Sequence, residues 1–411
     1  MMTMRQLSFL TLVLFAATAI AEEPHRPPFR TDADGPVGQK PIKGAPPLPE
    51  WYQPVAGQFP PEGSAHAISG ELIQVDHLER KFLLRVDRND SQDRSIWDLP
   101  VDATMLPYGA IYYQGAPAAI QDIPLGTHLH GLFYLKDPNS EISNLDTPYG
   151  RKTPEFDFRQ CFQLEDGFSY HARQNQLWKI ESVNLPGMKL IATLQKDGQD
   201  IGKPQIFDLL TSTRVSQGRC FEDLNALQPG QLVLFNLTWA TLYGPGRLTD
   251  IWLDEAARSL ATQHQLERNR NHTRERGLAG WVDAVDDKTQ IVTITFFGGV
   301  DPALFQDLAL VDDRPLGWPL SKEPDDPNAP KGTIAVAQEN LMTYDPVNDR
   351  KGGNILDIRT VPIQPGSSGV QICVKCDMLL EGYRPTRIVR VYPSAWKVQA
   401  LPREEQYFGR E

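Results

Sequence analysis

Apolar and polar residues alternate along three stretches of the chain in a pattern typical of paired β-strands. Residues 67–86 read AISGELIQVDHLERKFLLRV, and residues 277–296, GLAGWVDAVDDKTQIVTITF, align with them without a gap. A weaker copy, NQLWKIESVNLPGMKLIATL, spans residues 175–194. Asp or Asn takes the same central place in each copy: Asp76, Asn184 and Asp286. Because these side chains bond the backbone that follows them, each copy predicts a β-hairpin.

A glycine followed by a long apolar strand comes after each hairpin. The sequences are DIPLGTHLHGLFYL, ALQPGQLVLFNLTW and GSSGVQICVKCDML. The repeat is therefore roughly 100 residues long, the size of a small domain. Strands at this spacing favour closed or nearly closed five-stranded barrels of the OB type, since closure removes exposed sheet edges. The predicted fold class is mainly β, with three tandem small OB-like β-barrel modules, one linking helix and a disordered Pro-rich N-terminal tether.

The pattern Gly-x-Val-x-x-Val-Asp, then a strand, then a strand led by Pro-Gly or Leu-Gly resembles exported bacterial OB-like modules of unknown function. Gly280, Val282, Val285 and Asp286 carry it in the last copy. The resemblance covers about three quarters of the chain after residue 21 and implies the barrel fold. It implies no catalytic residues.

Residues 254–276, DEAARSLATQHQLERNRNHTRER, predict a helix that links the second and third barrels. Acids lie in its first turn and bases in its last, as the helix dipole prefers, and Gly277 ends it. The domain organisation predicted from these patterns is a signal peptide (1–21), a tether (22–65), three barrel modules, a linking helix (254–276) and a tail (399–411). The modules span 66–160 and 277–398, each with a loop insertion, and 161–253.

The N-terminal segment predicts export to the periplasm or the extracellular space. Arg5 precedes an apolar run at residues 7–17, and Ala-Ile-Ala at 19–21 is a cleavage site that a signal peptidase reads. The alternative is an uncleaved N-terminal anchor. Residues 22–65 contain eleven prolines, which keep a chain extended. We therefore expect this tether to be unpaired and solvent-exposed, although Trp51 and Tyr52 offer an alternative in which it docks on the first barrel.

The charge of the chain argues against two classes of partner. Its formal charge is −11, and removing residues 1–21 takes away one base and no acid, leaving 40 bases against 52 acids. Nucleic-acid binding by counterion release needs a basic surface. We therefore expect neither nucleic acid nor an anionic membrane as a partner, and no transmembrane segment after removal of the signal peptide.

His128 and His130 are the candidate metal ligands. Side chains two apart on a strand share a face and lie about 7 Å apart along it, a spacing that suits two ligands of one transition metal. A third ligand would come from His171, His77 or an acid, and the sequence does not single one out. The alternative is a polar outer barrel face, since two histidines alone do not define a site.

The Cys373-Val-Lys-Cys376 motif lies in a segment of strand composition, QICVKCDML. Residues three apart on a strand point to opposite faces, so we expect structural cysteines rather than a redox or zinc pair. Cys161 and Cys220 both fall in the predicted second module and are the only plausible internal disulfide. Neither spacing nor motif requires that bond, so we expect free thiols.

In each module, the alternation of residues along the glycine-led strand that follows the hairpin assigns the two faces of that strand. The expected core-facing sets are Leu129, Gly131, Phe133 and Leu135 in the first module, Val233, Phe235, Leu237 and Trp239 in the second, and Ile372, Val374, Cys376 and Met378 in the third. His128 and His130 then share the outer face, open to solvent or a metal, and Cys373 is the accessible thiol.

The sequence contains no nucleophile motif, phosphate-binding glycine loop or HExxH pattern. Carboxylates such as Glu165 and Asp166 are interpreted as solvated loop charges. We therefore expect a binding or scaffold protein of the cell envelope rather than an enzyme, with a glycan or an envelope protein as its partner. One alternative is a metal-handling protein that uses His128 and His130, and a second is a hydrolase with its site in a cleft between modules.

Overall fold

The structure is a computed structural model that describes nine ranges of residues: 52–87, 100–135, 156–238, 246–308, 332–336, 351–376, 378–380, 382–393 and 395–396. Within them the chain is mainly β and forms three barrel-like sheets in sequence order, as predicted. The expected signal peptide, the tether as far as residue 51 and the tail 399–411 lie outside the described residues. No helix in the described ranges is long and apolar enough to cross a membrane.

The first barrel is a closed ring of five strands with the order β1–β2–β3–β6–β5 and back to β1. β3 and β6 run parallel and the other pairs are antiparallel. Its strands are β1 (His66–Asp76), β2 (Lys81–Val86), β3 (Val101–Tyr113), the short β4 (Ala116–Pro117), β5 (His128–Leu135) and β6 (Phe156–Asp166). A 3-10 turn at Ile120–Asp122 precedes β5.

The second barrel repeats this ring, as β7–β8–β10–β13–β12 and back to β7, again with one parallel pair, β10 and β13. Its strands are β7 (Gln176–Asn184), β8 (Lys189–Lys196), β9 (Gln199–Asp200), β10 (Gln205–Gln217), β11 (Cys220–Glu222), β12 (Leu232–Thr238) and β13 (Arg247–Trp252). A 3-10 turn at Leu224–Ala226 packs beside β10. Helix α1 (Gly167–Arg173) joins the first two barrels.

The third barrel closes differently, so the expectation of matching topology in all three was wrong. Its ring of six antiparallel strands is β14–β15–β18–β17–β16–β19 and back to β14. The strands are β14 (Leu278–Asp286), β15 (Ile291–Phe297), β16 (Gly332–Val336), β17 (Lys351–Thr360), β18 (Ser367–Cys376) and β19 (Ile388–Pro393), with a 3-10 turn at Pro302–Asp307. In the third barrel, β18 pairs with β15, the second strand of its hairpin. In the first two barrels, β5 and β12 pair instead with the first hairpin strands, β1 and β7. The difference arises because β16 and β17 separate β18 from β19 around the third ring.

The three hairpins nevertheless share their local geometry. The turn carboxylates accept from the backbone two residues on, with Asp76 Oδ1 3.0 Å from Leu78 N and Asp286 Oδ1 2.9 Å from Lys288 N. In the second hairpin, Asn184 Oδ1 accepts from Gly187 N at 3.0 Å. A bulge falls at the same aligned place in each: Leu72 to Gln74, Ile180 to Ser182 and Val282 to Ala284. The sequence repeat is therefore a structural repeat at the level of the hairpin.

The face assignment of the glycine-led strand that follows each hairpin is confirmed within β5, β12 and β18. It is wrong for Met378, which is 54% exposed because β18 ends at Cys376. Trp239 lies outside the described residues. Leu129 and Phe133 lie in the core of the first barrel and Val233 and Phe235 in that of the second. Ile372, Val374 and Cys376 lie in the third core.

The first barrel extends beyond its expected end at residue 160. β6 crosses that position, pairs with β3 and β5 of the first sheet, and ends at Asp166. Cys161 is consequently part of the first core, not of the second module. The reason is that the parallel pairing with β3 closes the ring, and the chain leaves the sheet only where α1 begins.

Asp166, the residue immediately before α1, joins the first two barrels through its buried carboxylate. It caps the helix by accepting from Ser169 N at 2.9 Å, and it accepts from Gln114 N after β3 at 3.1 Å. From β12 of the second barrel, Asn236 Nδ2 donates to Asp166 Oδ2 at 2.7 Å, while Asn236 Oδ1 accepts from Phe168 N at 2.9 Å. Burial raises the pKa of Asp166, and these hydrogen bonds oppose that rise.

Helix α2 (Glu255–Arg276) begins and ends as predicted, with Asp254 as its N-cap and Gly277 just beyond it. It also packs on the first barrel, which extends the expected role as a linker of the second and third. Thr262 Oγ1 donates to Gln114 O at 2.7 Å, and Gln265 Nε2 donates to Asp122 Oδ2 at 3.0 Å. The helix is therefore a strut that contacts all three barrels.

The segment before the first barrel packs against aromatic residues shared by the first and third barrels. Residues 52–65 form no strand, but Tyr52 lies 5.5 Å from Tyr134 between ring centroids, and Phe59 lies 5.7 Å from Tyr108 and 6.2 Å from Phe297. The expectation of a solvent-exposed tether is therefore wrong for this part. Its two aromatic side chains gain apolar contacts that an extended proline-rich chain in water would not have.

Replacement of Asn236 by Ala is expected to destabilise the protein by about 3 kcal/mol, because it leaves the Asp166 carboxylate and the Phe168 N–H short of a partner in a buried place. Denaturant unfolding measures the loss. Asn225→Ala, an exposed position before β12, is the matched control and should change the free energy of unfolding by less than about 0.5 kcal/mol. Equal losses in the two variants would contradict a role for Asn236 in joining the barrels.

Candidate functional site

The candidate histidines lie at the seam between the first two barrels. β5 directs Leu129 into the core and His128 and His130 to the outer face, as the alternation predicts. Helix α1 covers that face, and Tyr170 stacks on the His130 ring with centroids 3.9 Å apart. His128 is only 6% exposed, so the expectation that this face is open to solvent was wrong. We call His128, His130 and His171 the histidine seam.

His128 is paired with a carboxylate. Its Nε2 lies 2.5 Å from Asp87 Oδ2 at the end of β2, and both side chains are buried. Burial by itself lowers the pKa of His128, but the charge and hydrogen bond of Asp87, helped by the charge of Glu71, outweigh it and raise the pKa above its ordinary value. The stability that this pair contributes is therefore complete below pH of about 6.5 and is lost as the pH rises through the raised pKa.

His130 is held as a neutral ring beside that charge. Its Nδ1 lies 3.1 Å from Ser69 Oγ, and its ring meets the His128 ring edge-on at 5.2 Å between centroids. Burial lowers the pKa of His130 well below its ordinary value, and the positive charges of His128, His171 and Arg173 add to that effect.

His171, one of the candidate third ligands, does join the pair. Its ring centroid is 6.1 Å from that of His130, and its Nδ1 lies 2.8 Å from Gln176 Oε1. Burial and the charge of His128 together lower its pKa to about 4, against the opposing effect of the hydrogen bond with Gln176. His77, the other candidate, lies elsewhere, beside the C-terminal half of α2.

One nitrogen of each imidazole in the seam is thus within hydrogen-bonding distance of a protein oxygen. In the part of the chain that the structure describes, no group of three or more His, Cys, Asp or Glu side chains has the geometry to hold a metal ion. The assignment of His128 and His130 as ligands of a transition metal stays a prediction.

Two neighbouring acids that the sequence suggested were solvated are in fact buried. Glu165 is 2% exposed and accepts two bonds from the Arg173 guanidinium, at 2.8 Å and 2.7 Å. Asp166 joins the barrels as described above. The sequence signal that could have revealed Asp166 is Asp-Gly-Phe-Ser, in which an Asp three residues before a Ser amide is a helix N-cap.

The cysteines carry no site in the structure. None of the four forms a disulfide bond, as expected for Cys161 and Cys220. These two belong to different barrels, and Cys161 is buried whereas Cys220 is exposed. Cys376 is fully buried in the third core, and Cys373 on the opposite face contacts the Arg359 guanidinium at 3.0 Å. Cys373 is 8% exposed, so it is the more accessible of the two, although it is not open to solvent.

Comparisons with known proteins give little. No family model matches the chain, and no curated protein matches it. Among solved structures, it is similar to a copper(II)-bound variant of CusF from Escherichia coli, with 14% sequence identity and a TM-score of 0.15 over 20% of this chain and 90% of that one. A likeness of this size is too slight to indicate a shared function.

The histidine seam predicts a loss of stability in acid. The pKa of His171 is lower in the folded protein than in the unfolded chain, so its contribution is present above pH of about 6.5 and is lost as the pH falls towards 4. His171→Asn, which keeps a side-chain donor, should make the decline in the free energy of unfolding between pH 6 and pH 4.5 shallower by up to about 1.4 kcal/mol per pH unit.

Unfolding in denaturant at each pH measures that slope. His264→Asn, at an exposed position on α2, is the control and should leave it unchanged. A slope in His171→Asn equal to that of the unmodified protein would show that this ring takes up its proton in the folded state as easily as in the unfolded chain.

Proposed function

We propose that this protein is an exported binding or scaffold protein of the cell envelope whose three barrels hold a fixed arrangement and present their loops to a partner. The observation that carries the proposal is that buried polar side chains between the barrels bond to other protein groups and so hold the barrels together. Asp166 bonds to Asn236 of the second barrel, and His171 on α1 lies within hydrogen-bonding distance of Gln176 of the second barrel. His128 is paired with Asp87 within the first barrel, and α2 contacts all three barrels. These contacts fix the spacing of the loops.

The distribution of titratable groups supports a binding role over catalysis. Groups with strongly shifted pKa values are usual at active sites, where they meet in a cleft open to substrate. Here His128, His130 and Asp166 have shifted pKa values but are buried under α1 and bonded to neighbouring residues. Their shifts follow from burial between the barrels and from the charges and hydrogen bonds of neighbouring residues. A hydrolase site in a cleft between modules stays an untested alternative.

Large apolar side chains are exposed on each barrel and mark where a partner can be sought. They are Leu125 on the first, Phe221 on the second and Ile363 on the third. Single exposed apolar residues are common on any surface, so they serve as probe positions and not as evidence of an interface. The proposed partner class, a glycan or an envelope protein, comes from the predicted export and from the loops that OB-type barrels use for binding.

The test is photo-crosslinking in the intact cell envelope. Leu125, Phe221 and Ile363 are each replaced by p-benzoylphenylalanine, and Glu255, exposed at the start of α2, receives the same replacement as a control. We expect a defined adduct, an envelope protein or a glycan strand identified by mass spectrometry, at one or more barrel positions and none at Glu255. Recovery of the protein from the cytoplasm with residues 1–21 intact, or adducts at all four positions alike, would contradict the proposal.

Metal handling by the histidine seam is the second candidate, favoured by two imidazoles with centroids 5.2 Å apart and a third 6.1 Å from His130. Elemental analysis of protein purified without an affinity tag tests it. The metal-handling function requires stoichiometric copper or zinc that is lost in a variant with His128→Ala and His130→Ala and kept in His264→Ala. Metal below about a tenth of stoichiometry, after incubation with either ion and desalting, would exclude the seam as a metal site.

A further inference from the structure

Strand β11 (Cys220–Glu222) forms one edge of the sheet of the second barrel. Among the described strands it pairs with β10 alone, so no described strand lies on its other side. The residues from 219 to 223 are all exposed. Gly218 N, in the turn before β11, donates to the carboxylate of Asp254, the N-cap of α2, at 3.1 and 3.0 Å. Helix α2 therefore holds this exposed edge in a fixed position.

The backbone of Phe221 points to the free side of β11. Phe221 lies opposite Ser216 of β10. Ser216 O accepts from Leu253 N at 2.9 Å, on the side of β10 where β13 pairs, so the backbone of Ser216 points away from β11. Ser216 and Phe221 are therefore a non-hydrogen-bonded pair, in which the N–H and C=O groups of both residues point outwards. Those of Phe221 are the groups at which a further strand would pair.

The Phe221 side chain adds an apolar contact surface at the same place. It is 76% exposed, and it lies on a strand, whereas the exposed Leu125 and Ile363 lie outside strands. Natural proteins usually protect a free strand edge with cover or with charged side chains, so an exposed aromatic ring there is unusual. Phe221 thus combines apolar surface with outward backbone groups, which a single exposed apolar residue in a loop does not.

The charges on either side of Phe221 are complementary about a two-fold axis. When two copies of β11 pair antiparallel with Phe221 opposite Phe221, Arg219 of each copy lies opposite Asp223 of the other. Cys220 then lies opposite Glu222, so no like charges meet. A pairing centred on Glu222 would instead place two carboxylates opposite each other, which is unfavourable. The sequence around this edge therefore selects one register.

Both charges are available for such a pairing. Arg219 is exposed and forms no ion pair within the described part of the chain. Asp223 accepts from Asn225 N at 2.7 Å, and this backbone donor leaves the negative charge uncompensated.

We propose that the partner of β11 is β11 of a second copy of this chain, paired antiparallel in a two-fold symmetric dimer centred on Phe221. The two Phe221 residues exchange two N–H to C=O bonds, and an Arg219–Asp223 pair flanks them on each side. Such an isologous contact is the commonest kind in homodimers. An interface of one short strand falls below the roughly 1,200 Å² of stable complexes, so the dimer is weak. The proposal is separate from the envelope partner proposed above and does not depend on it.

Sedimentation equilibrium of the purified protein, from about 10 µM to about 1 mM, measures the association. We expect the average mass to rise with concentration towards that of a dimer. Phe221→Ser should weaken association by about tenfold or more, because it removes the apolar centre of the interface. Leu125→Ser, which changes an exposed apolar residue of the first barrel, is the matched control and should stay within about twofold.

Charge reversal tests the register. Arg219→Glu places carboxylates opposite each other on both sides of Phe221 and should weaken association by about threefold or more at low ionic strength. Adding Asp223→Arg to the same chain restores opposite charges and should return association to within about twofold of the unmodified protein. Asp223 also caps the 3-10 turn that follows β11, so a second measurement that leaves this residue in place is needed.

Engineered cysteines provide that measurement and detect even a weak dimer. In a Cys220→Ser background, Phe221→Cys brings two Cα atoms to about 5.5 Å, within the reach of a disulfide bond. Glu222→Cys in the same background is the matched control, because its two Cα atoms lie about 8 Å apart, beyond that reach. Under mild oxidation we expect a covalent dimer from the first variant and none from the second.

Three outcomes would overturn the proposal. The first is the mass of a monomer at every concentration together with no covalent dimer from Phe221→Cys. The second is equal weakening by Phe221→Ser and Leu125→Ser. The third is covalent dimer formed equally at positions 221 and 222, which would show collision of exposed thiols and not a paired strand.

Discussion

The arrangement of the first two barrels depends on one buried carboxylate. Asp166 is fully buried at the end of β6, where burial alone disfavours its charge, and it accepts hydrogen bonds from the first barrel, from α1 and from the second barrel. A buried ionised group is tolerated only when its partners are complete. The first barrel, α1 and the second barrel therefore each supply one of the hydrogen-bond donors that the buried carboxylate of Asp166 needs.

The same constraint explains why the histidine seam is buried. Once Asp166 starts α1 at the end of β6, the helix must lie across the outer face of β5, because β5 and β6 are neighbours in the sheet. His128 and His130, which alternate outwards on β5, then lie under Tyr170 and near His171. Their shifted pKa values follow from this position. On the far side, α2 and the aromatic residues around Tyr108 hold the third barrel against the first.

Local pattern in the sequence was sufficient for much of this fold. The three hairpins, their Asp and Asn turns, both ends of α2 and the faces of β5, β12 and β18 all follow from periodicity or capping, which act over a few residues. The closure of the third ring was not predictable in this way, because strand order depends on where β16 and β17 fit and not on the pattern of β18. The burial of Glu165, Asp166, His128 and His130 was missed for a related reason. Alternation tells which way a side chain points, but whether another element covers that face depends on contacts such as Asp166 with Asn236, which are 70 residues apart.

The parallel pairing of β3 with β6 determines when the first ring can close as the chain is synthesised. The first ring cannot close until β6 has arrived, and β6 ends at the residue that needs Asn236 from the second ring. A nascent chain that has delivered only residues 52–166 therefore carries a nearly complete barrel with an unsatisfied carboxylate and the uncovered outer face of β5. Asp166 gains its last partner only when β12 of the second barrel is in place, 70 residues later, so the order of synthesis makes the two barrels a single folding unit.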